Sequence, residues 1–67
     1  MNLHRINFSE ENYINTDDNG YAEVMDGLAN NQKFAEITCF KNNSTEVGVV
    51  VILDKITYIE MNAFTLD

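Results

Sequence analysis

The chain lacks most of the residues that small proteins use to supplement a core. Its 67 residues include no proline, no tryptophan, one histidine and one cysteine. The lone Cys39 excludes an internal disulfide, and one cysteine with one histidine, His4, cannot form a Cys/His zinc site. Since a domain of this size buries only ~60% of its unfolded surface, oligomerisation is the remaining means of stabilisation unless a hard metal ion binds.

Basic residues are also scarce. Eleven acidic residues against four Lys and Arg give a formal net charge of -7. A duplex carries one negative charge per ~1.7 Å of its axis, so nucleic acid should repel this protein, and we expect no direct binding to it. The acids in the first half of the chain, where Arg5 is the one base before residue 33, are Glu10, Glu11, Asp17, Asp18, Glu23 and Asp26.

Long hydrophobic runs are absent. The longest, residues 49–53, is far shorter than the ~20 apolar residues that span a bilayer. Residues 1–12 lack the apolar segment of a signal peptide. We therefore expect a cytoplasmic protein without membrane contact, which agrees with an unpaired cysteine.

The second half of the chain carries the clearest structural pattern. Three apolar segments, 33–40, 46–53 and 56–64, predict short strands. The middle segment is apolar on both faces, because Val47, Val49 and Val51 alternate with Gly48, Val50 and Ile52. This pattern places the core in the second half.

The two strands on either side of residues 41–45, a predicted five-residue loop, define two sheet faces. If Phe40 pairs with Glu46, an uncharged core face contains Ala35, Ile37, Cys39, Val47, Val49 and Val51. One short helix cannot cover the opposite face as well, so we expect that face to form a homo-oligomer interface. The residues assigned to it are Phe34, Phe40, Val50 and Ile52.

The first half gives weaker signals. Residues 3–8 alternate and predict an N-terminal strand, and Ser9 suits the cap of a short helical turn. Asn19-Gly20 predicts a turn. A helix follows over residues 21–30, with Tyr21, Met25 and Leu28 predicted to pack on the sheet.

The hairpin, a sharp bend at Asp54-Lys55 and a closing strand resemble the end of small Sm-like or SH3-like barrels. This resemblance covers roughly the second half of the chain, has no specific motif, and implies neither RNA nor peptide binding. The fold prediction is a single α+β domain over residues 1–67. It has a small three- to four-stranded antiparallel sheet, with a partly closed barrel as one form, and one short helix packed on it.

Residues 15–20, with Asp26 at the twelfth place, resemble the calcium loop of EF-hands. The residues that match are Asp17, Asn19 and Gly20. The departures from the pattern are at Asn15, Ala22 and Asp26. These departures remove negative charge or shorten a side chain that would contact the ion. Two alternatives follow: a weak calcium binder and, as the preferred interpretation, an acidic turn that begins a helix.

Catalytic chemistry is not indicated. Cys39 lies on the predicted apolar face and is interpreted as a core residue, while His4 is expected at a plain surface or edge position. Adjacent carboxylates such as Glu10-Glu11 point apart into water. We therefore expect no enzyme, no catalytic residue, no metal and no cofactor.

Two hypotheses about function follow. In the first, the six N-terminal acids bind a basic, nucleic-acid-binding surface of a protein partner, which makes the chain an inhibitor. Its size, charge and asparagine content are similar to those of phage-encoded host-takeover proteins, including anti-CRISPR and DNA-mimic proteins. In the second, the protein is a homo-oligomeric structural or small-ligand-binding protein.

Overall fold

A computed structural model describes residues 2–42 and 45–65 of the chain. One helix packs on an antiparallel sheet, as the sequence predicts for the α+β class. The elements in chain order are β1 (Asn2–Asn7), β2 (Tyr13–Thr16), α1 (Asp18–Ala29), β3 (Phe34–Asn42), β4 (Thr45–Ile52), a 3-10 turn (Leu53–Lys55), β5 (Tyr58–Ile59) and β6 (Phe64–Thr65).

The β3–β4 hairpin has the predicted register. Phe40 pairs with Glu46, and the pairing continues to Phe34 opposite Ile52. The loop is shorter than predicted, because β3 extends to Asn42 and β4 begins at Thr45. The remainder of the predicted loop, residues 43–44, lies outside the described residues.

The core lies between α1 and the face of β3 that the sequence indicated. Side chains alternate between the two faces of a strand, so Ala35 and Ile37 turn together toward the helix. The buried cluster is Ile6, Val24, Ala35, Ile37, Val51 and Leu53. This arrangement leaves the opposite face of the β3–β4 hairpin without a second layer among the described residues.

The helix begins before Gly20, so the predicted Asn19-Gly20 turn is wrong. Asp17 is the N-cap, and its Oδ1 accepts a 2.8 Å hydrogen bond from the backbone N–H of Gly20. Gly20 is therefore helical and has no positive φ. The predicted end is confirmed, because Asn30 caps the helix and Asn31 adopts a positive φ of 56°, as is common just after a helix.

The helix face predicted to contact the sheet is confirmed at Tyr21, which is partly buried and stacks on His4 of β1, and is wrong at the other two positions. Met25 and Leu28 are exposed, and the buried positions are Gly20, Val24 and Gly27. These three positions recur at the helical period, but two of them carry no side chain. The interface between α1 and the sheet therefore depends on close approach of the helix backbone and not on a stripe of large apolar side chains.

Residues 9–12 close a hairpin and do not begin a helix, contrary to the predicted cap at Ser9. The Phe8 N–H donates to the Asn12 carbonyl at 2.8 Å, and Asn12 Nδ2 donates to the Ser9 hydroxyl at 3.0 Å. β2 then pairs antiparallel with β1. This strand was not among those predicted from the sequence.

The sheet has six strands, not three to four, and it is not closed in the part of the chain that the structure describes. Its order is β4-β3-β2-β1-β5, with β6 also on β1. The predicted last strand is interrupted, so β5 and β6 pair with β1 as separate two-residue segments. Because β4 and β5 end the order at opposite sides, the barrel form of the prediction is wrong, whereas the bend before β5 is confirmed as the 3-10 turn.

Candidate protein-interaction surfaces

His4 is buried and hydrogen-bonded, so the prediction of a plain surface position is wrong. Its Nε2 lies 2.7 Å from Asp18 Oδ1, and its ring stacks on Tyr21 with centroids 4.2 Å apart. The pair ties β1 to the first turn of α1, where a carboxylate is also favoured by the helix dipole. Asp18 thus has a structural role in addition to its charge.

The six acids proposed as a binding surface fall into two groups. Asp17 caps α1 and Asp18 is hydrogen-bonded to His4, so both side chains stabilise the fold. The other four are exposed, at the β1–β2 turn and on the outer side of α1, and within the described chain none lies in a salt bridge: Glu10, Glu11, Glu23 and Asp26. β2 separates the two pairs of acids in the chain.

The stretch that resembled a calcium loop has a different structure. Asn15 and Thr16 belong to β2, and the Thr16 hydroxyl donates to the Thr38 carbonyl at 2.8 Å. Asp17 is engaged in capping, and Gly20 lies within the helix. No group of three or more His, Cys, Asp or Glu side chains among the described residues could hold a metal ion. These residues therefore do not form the twelve-residue loop on which the calcium interpretation was based.

The sheet surface of β3 and β4 opposite α1, here called the open face, is uncovered among the described residues and carries exposed apolar side chains beside Glu36 and Thr38. Phe34 is 56% exposed, Val50 57% and Ile52 49%. Phe40, assigned to the same interface, is only 8% exposed, so it offers little area to a partner. The other three side chains form a patch of the kind that marks interaction surfaces.

On the same side of the sheet as the open face, Arg5 lies over the part that β1, β2 and β6 form. Its guanidinium carbon lies 4.1 Å from the ring centroid of Tyr13 and 5.1 Å from that of Phe64. Arg5 Nε also donates to Asn15 Oδ1 at 3.3 Å. Sequence reasoning missed this contact, because the three side chains come from β1, β2 and β6 and no local pattern joins them.

Cys39 is buried on the helix side of β3, as predicted for a core residue. No helix in the described part of the chain is long and apolar enough to cross a membrane. No family model matches the chain, and no curated protein or solved structure shows significant similarity to it. Function therefore has to be argued from the surfaces themselves.

Proposed function

We propose that the protein is a non-enzymatic binding module whose exposed carboxylates occupy a basic surface on a protein partner. The observation that carries the proposal is the state of Glu10, Glu11, Glu23 and Asp26. All four are exposed, and none has a basic partner within the described residues. Their charge is thus available to another molecule.

The chemistry of the partner follows from that charge. A net charge of -7 on 67 residues attracts Lys- and Arg-rich surfaces, and complementary fields accelerate association more than they tighten the final complex. Basic grooves of this kind usually bind nucleic acid. An inhibitor of such a groove, of the phage anti-CRISPR or DNA-mimic class, is the specific form that we propose.

A charge-neutralised variant tests this function. Glu10→Gln, Glu11→Gln, Glu23→Gln and Asp26→Asn together remove four charges while keeping Asp17 and Asp18, on which the helix start depends. The immobilised wild-type protein first captures its partner from a lysate of the native host at low salt. We expect the variant to associate with that partner at least tenfold more slowly and with a smaller salt dependence, because exposed charges are screened beyond ~8 Å at physiological salt.

The matched control changes charge in the other direction. Lys41→Gln and Lys55→Gln alter two exposed bases and should leave the association rate equal or slightly higher. An unchanged rate and salt dependence in the four-carboxylate variant would contradict the proposal. Thermal unfolding followed by circular dichroism checks that both variants remain folded.

A second candidate function is that of a homo-oligomeric structural or small-ligand-binding protein. It is favoured by the apolar exposure of Phe34, Val50 and Ile52 on the open face, since a core this small leaves stability marginal. Light scattering at tens of micromolar tests it. The two functions are compatible, because a dimer carries twice the acidic surface.

A further inference from the structure

The outer edge of β4 is unpaired. β4 ends the strand order, and its described backbone pairs with β3 alone. In an antiparallel pair every second residue directs its N–H and C=O away from the neighbouring strand. The edge of β4 therefore presents a row of backbone donors and acceptors that another strand can use.

The two ends of the sheet differ in their protection. At the β1 side, β5 and β6 are two residues each and are separated by residues 60–63, so they offer no continuous edge. β4 is eight residues long, contains neither proline nor lysine, and has a regular register from Ile52 to Glu46. Short strands, bulges, charged side chains and proline are the usual devices against edge pairing. On this strand they are confined to its first residues, where Glu46 is charged and the β3–β4 ladder is irregular at Phe40/Asn42, and residues 47–52 have none of them.

Apolar exposure at β4 occurs on both faces of the sheet. Val47, on the α1 side, is 39% exposed, although Val49 and Val51 on that side are better covered. Val50 and Ile52 are exposed on the open face. A partner docked on the open face would leave Val47 in water, whereas a strand added at the edge contacts side chains on both faces.

We propose that β4 pairs antiparallel with β4 of a second copy, so that two sheets join into one across a two-fold axis. The proposal deepens the homo-oligomer function above and rests on it. Pairing covers the β4 edge of each copy, so the interrupted edges formed by β5 and β6 are the ones that remain exposed in the dimer. The assembly therefore closes as a dimer instead of growing into a fibre.

Charge disfavours one neighbouring register. With Val49 opposite Val49 of the second copy, Val47 faces Val51, and Glu46 faces Ile52, so no like charges meet. A shift of the axis to Val50 brings Glu46 level with Asp54, in the 3-10 turn that follows β4, and like charges at facing positions are unfavourable. β-Branched residues on facing positions are favourable cross-strand pairs, and the axis at Val49 provides them on the α1 side.

Two single substitutions distinguish edge pairing from docking on the open face. Val47→Lys alters the edge on the side away from the open face, and Phe34→Lys alters the open face on β3, away from the edge. We expect the wild type to sediment as a dimer at tens of micromolar, Val47→Lys as a monomer, and Phe34→Lys as a dimer. Circular dichroism should show both variants folded.

The converse result, with Phe34→Lys monomeric and Val47→Lys dimeric, would overturn edge pairing and leave a homo-oligomer through the open face. A wild type that is monomeric throughout would overturn both, without affecting binding to a basic partner. Salt separates the two activities as well: dimerisation of chains that each carry -7 should strengthen with salt, whereas binding to a basic surface should weaken.

Disulfide trapping tests the register. In a Cys39→Ala background, Val49→Cys places two thiols on the axis, with Cα atoms about 4.5–5.5 Å apart, within the range that a disulfide spans. Thr45→Cys is the matched control, because its two copies would lie eight positions apart, about 27 Å. Mild oxidation should crosslink the Val49→Cys protein alone; crosslinking of neither or of both would overturn the register.

Discussion

Gly20 lies against Thr16 so closely that a Cβ built on the glycine would come 1.8 Å from Thr16 Oγ1. Thr16 is fully buried, and its hydroxyl donates to the Thr38 carbonyl of β3. It cannot move without breaking that hydrogen bond. The contact fixes how near the first turn of α1 lies to the sheet.

Gly20→Ala should therefore destabilise the protein, by about 1–3 kcal/mol as for other overpacked sites, even though alanine is the better helix former. Chemical denaturation measures the change. Gly48→Ala is the control, since a Cβ there meets nothing within 4 Å, and it should be neutral or slightly stabilising. Equal effects at the two glycines would show that close packing at Gly20 is unimportant.

The hydrogen bond between His4 and Asp18 should matter for folding. Asp18→Ala leaves the Nε2 of a buried histidine without its partner, which costs about 1–3 kcal/mol. Glu23→Ala, an exposed carboxylate on the same helix with no ion pair in the described structure, should change stability by less than ~0.5 kcal/mol. If urea unfolding finds the two variants equally stable, the contact does not hold β1 to α1.

Adjacent valines on β4 test the assignment of the sheet faces. Val51 is buried beside the helix and Val50 is exposed. An unpaired charge in the core is costly. The free-energy cost of Val51→Asp should therefore exceed the free energy of unfolding of a domain of this size, ~5 kcal/mol, so the variant should be unfolded. Val50→Asp should retain a cooperative thermal transition at low protein concentration, and the reverse outcome would invert the two faces.

The Arg5 contacts depend on a planar cation. Arg5→Lys keeps the charge but loses the flat guanidinium that lies over the Tyr13 and Phe64 rings. We expect Arg5→Lys to destabilise the protein almost as much as Arg5→Ala, by about 0.5–2 kcal/mol. Full rescue by lysine would show that charge alone, toward Glu60 at 3.8 Å, is what Arg5 contributes.

Some of these features were readable from the sequence and others were not. The β3–β4 register follows from local alternation, because Ala35, Ile37 and Cys39 are spaced by two and face valines of the same spacing. The helix face was mispredicted at Met25 and Leu28 because hydrophobic periodicity counts only residues with apolar side chains. Gly20 and Gly27 carry none, yet both are buried.

Local sequence patterns were enough to predict the α+β class, the core face of the hairpin and the burial of Cys39, and composition gives the net charge of -7. These properties depend on composition and on contacts between near neighbours in the chain. Contacts between distant segments bury His4 against Asp18, bring Arg5 over the Tyr13 and Phe64 rings and leave β4 at the end of the strand order. Each of these depends on how distant segments approach one another, and no local pattern encodes that distance.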